Sequence, residues 1–252
     1  MTESYVAVDL ETTGIGARKE KITEIAMVKV ENGQITDEFH TLVNPCREIP
    51  ERIRELTGIC DEMVKDAPSI GQVIGPAVEF CGGFPLLGHQ ILFDYGFLKQ
   101  AAVNQKILFE KNGLDTLKLC RLLMPAEEKK NLSAACAYFG ICPETAHRAL
   151  SDARSAHFLY QELKKRFGAA RGELFADIPL KYQAKKERTA TKRQKEHLQE
   201  LIKYHRIDIT VQIEHMSGNE ISRMIDQIIF RYGKIPEAGQ NRDSFRKYRE
   251  NE

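Results

Sequence analysis

The chain has 252 residues, of which 42% are hydrophobic and 29% are charged, as in an ordinary globular protein, and its net charge is +1. No apolar run is long enough for a membrane span, and the N-terminus lacks the basic and apolar segments of a signal peptide, so we expect no membrane attachment and a cytoplasmic location. The six cysteines form no Cys-x-x-Cys pair, which argues against a zinc site and is typical of reduced thiols in the cytosol.

The first predicted strand runs from Ser4 towards Gly14 and carries two acidic residues near its end. It opens with a β-branched, apolar run that is typical of a buried strand. Because the side chains of a strand alternate between its two faces, Asp9 and Glu11 project to the same side. Two neighbouring carboxylates repel each other and need a compensating cation, and hard divalent ions such as Mg²⁺ or Mn²⁺ prefer such oxygen ligands. We therefore expect this pair to bind metal.

Strand and helix patterns alternate along the residues that follow. Ile22–Val30 and Ile35–Val43 are predicted to pair through an Asn32-Gly33 turn, which gives an antiparallel meander with the first strand. A short apolar run, 85–88, predicts a further strand. Helical patterns cover the ranges 50–57, 69–82, 91–103, 114–123, 131–139 and 148–167. This order predicts an α/β domain over residues 1–168, in which helices flank a mixed sheet.

A third acidic residue, Asp94, lies within an otherwise apolar helical segment. An unpaired carboxylate among Ile91, Phe93 and Phe97 would be costly, so we expect it to have a partner. A helix-capping or solvent-exposed aspartate accounts for this segment equally well when the segment is taken alone.

His147 and Asp152 form the last candidate pair. They lie five positions apart, so a single regular helix would place them on different faces. They can converge if His147 lies in the loop after Pro143 and Asp152 lies in the following helix. A lone histidine is most often a structural residue, and only the combination with the acidic residues favours a role as ligand or base.

Three motifs together resemble those of the DEDDh, or DnaQ-like, exonucleases. They are Val8-Asp-Leu-Glu-Thr-Thr-Gly14, His89-Gln-Ile-Leu-Phe-Asp94 and His147-Arg-Ala-Leu-Ser-Asp152, and they occur in the order that the family shows. The resemblance covers roughly residues 4–167 and is strongest to the proofreading exonuclease subunits and domains of bacterial replicative polymerases. One departure is Gln90, where asparagine is commoner.

The resemblance implies an RNase H-like fold and hydrolysis of phosphodiester bonds from a 3′ end, with release of nucleoside 5′-monophosphates. It also implies two divalent ions, Mg²⁺ or Mn²⁺, which would bind the attacking and leaving oxygens of an in-line displacement. Asp9, Glu11 and Asp152 would hold the ion that activates water. Asp9 would bridge to the second ion, with Asp94 supporting it directly or through water. His147 would be the general base.

Contacts with the terminal nucleotide follow from the same resemblance. Thr12 and Thr13 resemble part of the family's binding surface for this nucleotide, although a structural reading of Gly14 as a turn residue with unusual backbone angles is equally good. Thr57 would lie near the terminal base, and His89 would face the nucleic-acid backbone.

The remaining residues are predicted to form a linker (169–190), a helical hairpin (191–235) and a disordered tail (236–252). Residues 181–252 carry 16 Lys and Arg against 11 Asp and Glu, a net charge of +5, whereas the residues before them carry a net charge of −4. The basic segment can bind nucleic acid through phosphate contacts, or the apolar stripe of the hairpin can dock a polymerase. A hairpin that only buries its own faces accounts for the pattern as well.

The leading hypothesis is a 3′–5′ exonuclease that binds the 3′ end of single-stranded nucleic acid, DNA in preference to RNA, in proofreading or repair. It would act alone or with a DNA polymerase as partner. The alternative that the protein is an exoribonuclease stays open, because no motif indicates recognition of the sugar 2′-OH. A non-catalytic nucleic-acid-binding module is disfavoured, since a pure binding protein gains nothing from clustering four acidic side chains.

Overall fold

The computed structural model describes residues 1–142, 148–208 and 213–236. Two compact units make up the chain, Met1–Lys186 and Glu187–Glu252. Among the described residues, no helix is both long enough and apolar enough to cross a membrane.

A mixed six-stranded sheet forms the central layer of the first unit. Its strands are β1 (Tyr5–Thr12), β2 (Ile22–Glu31), β3 (Gln34–Leu42), β4 (Leu86–Gly88), β5 (Asn112–Asp115) and β6 (Ile178–Pro179). They lie side by side in the order β3-β2-β1-β4-β5-β6. β1 pairs antiparallel with β2 and parallel with β4, β5 continues the parallel part, and β6 is antiparallel at the edge. The predicted α/β class with a mixed sheet is confirmed.

Helices cover both faces of this sheet. The helices of the first unit are α1 (Glu51–Thr57), α2 (Asp61–Val64), α3 (Ile70–Cys81), α4 (Leu92–Asn104), α5 (Thr116–Leu123), α6 (Leu132–Tyr138) and α7 (Ala149–Arg171). One hydrophobic core lies between the sheet and α3 with α4, and a second lies between the sheet and α5, α6 and α7.

The alternation of side chains along β1 assigns each acidic residue to a face. Val6 and Val8 belong to the core under α3 and α4, whereas Ala7 belongs to the core under α7. Asp9 and Glu11 follow Ala7 with a period of two, so they lie on the α7 side of the strand. The strand thus carries its acidic pair past the end of the apolar core and towards the beginning of α7.

The region around β5 differs from the prediction. A helix is predicted to begin at residue 114, but Asn112–Asp115 form a strand whose register pairs Leu114 with Leu87 of β4. Asp115 then caps α5 by accepting the backbone N–H groups of Leu117 and Lys118. A four-residue strand without β-branched side chains carries little local signal, and only its pairing with β4 identifies it.

Much of the segment predicted as a linker, 169–190, packs onto the first unit. It contains the end of α7, a 3-10 helix (Gly172–Phe175) and β6. Leu180 is 7% exposed, and the ring of Tyr182 packs so close to α4 that a Cβ at Gly96 would lie 3.1 Å from it. These contacts come from isolated apolar residues in a polar stretch, so no periodic pattern reveals them. The first unit therefore continues well past residue 168.

The second unit is built around two helices, α8 (Lys192–His205) and α9 (Gly218–Tyr232). Each begins with a reciprocal capping box, formed by Thr191 with Gln194 and by Ser217 with Glu220. Their shared core contains the buried side chains of Leu198, Leu201, Ile221 and Ile228. Residues 237–252, which form nearly all of the predicted disordered tail, lie outside the described residues.

Candidate active site

Three carboxylates from two elements meet beyond the apolar part of β1. Asp9 and Glu11 project from β1, and Asp152 lies in the first turn of α7. One carboxylate oxygen of each residue lies within 4.8 Å of the others, and all three residues are partly accessible to solvent. Oxygens this close can share one hard cation. The structure thus brings three of the four predicted acidic residues into one cluster.

The fourth acidic residue, Asp94, lies in the first turn of α4 and is 4% exposed. Its Oδ1 accepts the backbone N–H of Leu10 at 3.2 Å, which attaches α4 to β1 between the two acidic residues of the strand. After burial, the charge of Asp94 is the largest cause that raises the pKa of Asp9. The partner expected for Asp94 is therefore a backbone amide. Burial raises the pKa of Asp94 well above its usual range, so the charged form of this side chain also needs a cation nearby.

Burial and mutual repulsion make the cluster unfavourable when no cation is bound. Burial, followed by the charges of Asp94 and Asp152, raises the pKa of Asp9 well above its usual range. Burial, followed by the charges of Asp152 and Glu24, raises the pKa of Glu11 to about 7. A metal-free cluster therefore retains protons near neutral pH, and a divalent cation would displace them. The all-carboxylate donor set suits Mg²⁺ or Mn²⁺ better than a soft metal.

A further acidic residue, Glu24, lies opposite Glu11 in the β1–β2 ladder, and the sequence motifs do not include it. Its Oε1 accepts hydrogen bonds from Nη2 of Arg148 at 2.9 Å and from Nε2 of His40 at 2.7 Å, and its Oε2 accepts the N–H of Ala149 at 3.2 Å. Burial acts to raise the pKa of Glu24, but the hydrogen bonds from Arg148, His40 and Ala149 and the charge of Arg148 together outweigh burial and hold this pKa below its usual range. The sequence signal is an acidic residue in an apolar strand, a pattern that solvent-facing residues also produce.

Hydroxyl groups hold the loop that follows β1. Thr13 Oγ1 donates to Oε2 of Glu20 at 2.7 Å and accepts the N–H of Lys21 at 2.9 Å. Thr12 Oγ1 donates to the backbone oxygen of Gly14 at 2.8 Å. Gly14 does not have a positive φ, but a Cβ there would lie 2.9 Å from Cγ of Glu20. Close packing, rather than unusual backbone angles, accounts for this glycine.

Thr57 ends α1 and is 5% exposed. Its Oγ1 donates to the backbone oxygen of Ile53 at 3.0 Å and accepts the N–H of Ile59 at 3.1 Å. Because the hydroxyl hydrogen is used within this turn, Thr57 can offer a nucleotide only an acceptor lone pair or its methyl group.

Both ring nitrogens of His89 are bonded within the protein. Nε2 lies 2.8 Å from the backbone oxygen of Lys130, and Nδ1 lies 2.9 Å from Oγ1 of Thr116. A carbonyl oxygen only accepts, so Nε2 carries the proton of the neutral ring. Burial lowers the pKa of His89, in keeping with a neutral ring. The contact with the nucleic-acid backbone that the resemblance implies would require one of these hydrogen bonds to break.

His147, the implied general base, lies outside the described residues, and its role stays a prediction. The next two described residues, Arg148 and Ala149, both donate hydrogen bonds to Glu24. All the other predicted site residues lie in the described part of the first unit.

Known proteins resemble this chain in sequence. Residues 6–160, more than half of the chain, match the family model RNase_T, described as Exonuclease. The DNA polymerase III subunit epsilon of Aquifex aeolicus is 38% identical over 151 residues, which cover 60% of this chain and 75% of that protein. The PolC-type DNA polymerase III of Bacillus subtilis is 40% identical over 168 residues, which cover 65% of this chain and 12% of that protein. The chain spans only about a tenth of the length of its PolC-type relatives, as the 11% coverage of the Clostridium perfringens protein also shows.

Solved structures show the same fold. Exonuclease X in complex with 5′ overhanging duplex DNA is 27% identical, with a TM-score of 0.53 and coverage of 65% of this chain and 92% of that one. A structure of exonuclease I is 15% identical, with a TM-score of 0.61 and coverage of 69% of this chain and 43% of that one. At this identity it supports the fold alone. The predicted RNase H-like fold is confirmed. Motifs, fold and family match agree, and the chain belongs to the DnaQ-like exonuclease family.

Proposed function

We propose that this protein is a metal-dependent 3′–5′ exonuclease that hydrolyses DNA from its 3′ end and releases nucleoside 5′-monophosphates. The observation that carries the proposal is the cluster of Asp9, Glu11 and Asp152, whose oxygens lie within 4.8 Å of one another in a member of the exonuclease family. Membership of the family indicates the reaction, and the cluster supplies the ligands that phosphodiester hydrolysis by metal ions needs.

The carboxylates would hold two divalent ions, Mg²⁺ or Mn²⁺. Asp9, Glu11 and Asp152 would bind one ion, and Asp9 would share the second with Asp94. When bound, such ions lower the pKa of a coordinated water and neutralise the charge that develops on the phosphate. The pKa of Glu11, which burial and neighbouring charges raise to about 7, supports a site that is completed by cations.

The protein's own part is to hold these ligands in place and to move a proton. The β1–β2 ladder holds Asp9 and Glu11, and the N–H of Leu10 holds Asp94. His147 would accept the proton of the attacking water.

Recognition of the terminal nucleotide would fall mainly to the backbone of the loop after β1. The hydroxyl groups of Thr12 and Thr13 already donate to groups of that loop. Their backbone groups would therefore approach the 3′ end, with Thr57 at the terminal base through its methyl group or remaining lone pair.

Substrate and partner are proposed from the relatives. An epsilon subunit of DNA polymerase III is 38% identical, and exonuclease X has been solved with DNA, so we favour DNA over RNA and a DNA polymerase as partner. We also propose a cytoplasmic location, where a DNA polymerase partner would act.

A single assay tests the proposal. Matched single-stranded DNA and RNA, each labelled at the 5′ end, are incubated with Mg²⁺, with Mn²⁺ or with a chelator. We expect a ladder of shortened labelled products from DNA, only with metal, and none from the Asp9→Ala variant. A ladder from RNA alone would point instead to an exoribonuclease. Immediate release of the label as a mononucleotide would reverse the direction, and no product from either polymer would support a non-catalytic binding module.

A further inference from the structure

Glu24 is a buried acidic residue next to the metal-binding cluster, and the proposed reaction gives it no role. It faces Glu11 across the β1–β2 ladder, and its side chain has 0% exposure. Holding a buried carboxylate in the charged form is costly unless hydrogen bonds and an opposite charge compensate it. Glu24 therefore needs the donors that surround it, and the position of those donors indicates what the residue does.

Two of the three donors lie at the beginning of α7. Ala149 is the first residue of this helix, and its N–H is one of the four that a helix leaves without an internal partner. Arg148, the N-cap residue, makes no capping hydrogen bond with its own side chain. Glu24 accepts from Ala149 in place of an N-cap side chain, although it lies 125 residues earlier in the chain. The same helix carries Asp152 in its first turn.

Arg148 links Glu24 to the cluster. Its Nη2 donates to Glu24 at 2.9 Å, and its charge acts on Glu11, where it opposes the effects of burial and of the other carboxylates on the pKa. The guanidinium thus interacts with both acidic residues of this rung of the ladder, through a hydrogen bond with Glu24 and through its charge with Glu11. Glu24 accepts the hydrogen bond that holds the Arg148 side chain at this point.

We propose that Glu24 is a positioning residue for the metal site: it holds the N-terminus of α7, and with it Asp152, against β1, and it keeps Arg148 beside Glu11. The proposal rests on the metal-dependent function proposed above. It concerns the geometry of the ligands and does not make Glu24 itself a ligand.

A second ion pair between the sheet and α7 shows that attachment of this helix to the sheet does not depend on Glu24 alone. Nε and Nη2 of Arg154 donate to the two carboxylate oxygens of Glu38 on β3, at 2.7 and 2.8 Å. This pair also joins α7 to the sheet, but both side chains are about a third exposed, at 31% and 29%. An ion pair that needs a fully buried carboxylate, such as Glu24, is a poor means of attachment when a surface pair is present, because burying the carboxylate has a high desolvation cost.

The test is the binding of Mn²⁺ by the full chain without nucleic acid, measured by titration calorimetry. Glu24→Gln keeps the size of the side chain but replaces one acceptor oxygen by an NH₂ group that cannot accept from Arg148 or Ala149. We expect Mn²⁺ affinity to fall by about 10- to 100-fold, the range for partners that orient metal ligands, and kcat to fall with little change in KM. Excess Mn²⁺ should restore part of the rate.

Glu38→Gln is the matched control, because it breaks a comparable ion pair to the same helix away from the cluster. Mn²⁺ affinity and kcat should stay at the parent values in this variant. The proposal is overturned if folded Glu24→Gln binds Mn²⁺ as tightly as the parent. It is equally overturned if Glu38→Gln weakens binding as much, since attachment of α7 alone would then explain the effect.

Variants at Arg148 decide the question if Glu24→Gln does not fold, because this side chain is 40% exposed and tolerates replacement more readily. Arg148→Lys keeps a cation that can bond to Glu24, so it should retain more Mn²⁺ affinity than Arg148→Met. Parent-like affinity in both variants would overturn the proposal.

A parent protein that binds Mn²⁺ but does not degrade DNA would refute the proposed function and leave this test valid.

Discussion

The backbone N–H of Leu10 donates to Oδ1 of Asp94 at 3.2 Å, which joins β1 to α4 across 84 residues of chain. The donor is an uncharged amide, so the hydrogen bond orients the carboxylate without neutralising it. A buried acidic residue thus obtains a partner, while burial raises the pKa of Asp94, like that of Asp9, well above the usual range, so its negative charge is stabilised only when a cation is bound nearby. Orientation and charge are separable functions of this one side chain.

Replacement of Asp94 by asparagine should separate these two functions. Asp94→Asn keeps an acceptor for the N–H of Leu10 but removes the charge that repels Asp9. We expect activity to fall at least about 100-fold, as a metal-supporting carboxylate is lost, while the free energy of unfolding of the metal-free protein stays equal or rises. Asp94→Ala loses the acceptor as well and should be less stable than Asp94→Asn by about 1–3 kcal/mol. Urea denaturation in EDTA and the nuclease assay measure both effects, and equal stability of the two variants would contradict the role of the Leu10 hydrogen bond.

The stability of the metal-free protein should fall as the pH rises through the range set by Glu11. The pKa of this residue is about 7 in the folded protein against an ordinary value of 4.5. Between these two pKa values the folded state binds more protons than the unfolded state, so the free energy of unfolding decreases as the pH rises. This loss of stability is complete above the pKa of the folded state. We expect Glu11 to account for a loss on the order of 2 kcal/mol.

Glu11→Gln is the control for this pH dependence, because glutamine does not titrate. Urea denaturation in EDTA at about pH 5 and about pH 8 should show a smaller loss in the variant than in the parent. Saturating Mg²⁺ should offset the loss in the parent but much less in the variant, which lacks one ligand. The same pH dependence in both proteins would rule out Glu11 as its source.

Gln90 should be a site where a single substitution stabilises the protein. Its φ is 76°, in the left-handed region, and its N–H donates to Oδ1 of Asp115 at 3.1 Å. Asparagine adopts this conformation more readily than glutamine, so Gln90→Asn should raise the free energy of unfolding by about 0.5–1 kcal/mol. Gln90→Ala retains a Cβ without the local hydrogen bonding of asparagine and should give no gain. A stabilisation of equal size by alanine would show that backbone strain is not the cause.

The end of the first unit can be located by truncation. A chain that ends at Lys186 should keep the stability of this unit, whereas a chain that ends at Ala176 should lose at least about 3 kcal/mol, because the burial of Leu180 and of the Tyr182 ring is removed. Thermal unfolding of the two truncated chains measures the difference. Equal melting temperatures would place the boundary earlier, near residue 168.

The same Lys186 truncation tests binding of nucleic acid by the second unit. If the basic residues after position 186 contact phosphates, their removal should weaken binding to single-stranded DNA and reduce the slope of log affinity against log salt concentration. Hydrolysis at saturating DNA should be unchanged, since all the proposed ligands lie before this point. An unchanged affinity and an unchanged slope would leave the hairpin without a role in binding DNA.

The sequence by itself determined the class of fold and predicted four acidic site residues, of which the structure brings Asp9, Glu11 and Asp152 into one cluster. Strand alternation places Asp9 and Glu11 on one face of β1, and the three motifs identify Asp94 and Asp152, because each signal lies within a few consecutive residues. Local signals of this kind need no knowledge of what the rest of the chain does.

Only the tertiary structure decided how those residues are held. Asp94 obtains its partner from β1, His89 uses both ring nitrogens within the protein, and Glu24 caps a helix that begins 125 residues after it. Partners so far apart in the chain leave no periodicity in the sequence, since only the packed sheet and helices bring them into contact. For the same reason, the sequence does not distinguish β6 and the residues around Tyr182 from a linker. Only their contacts with β5 and α4 show that they belong to the first unit.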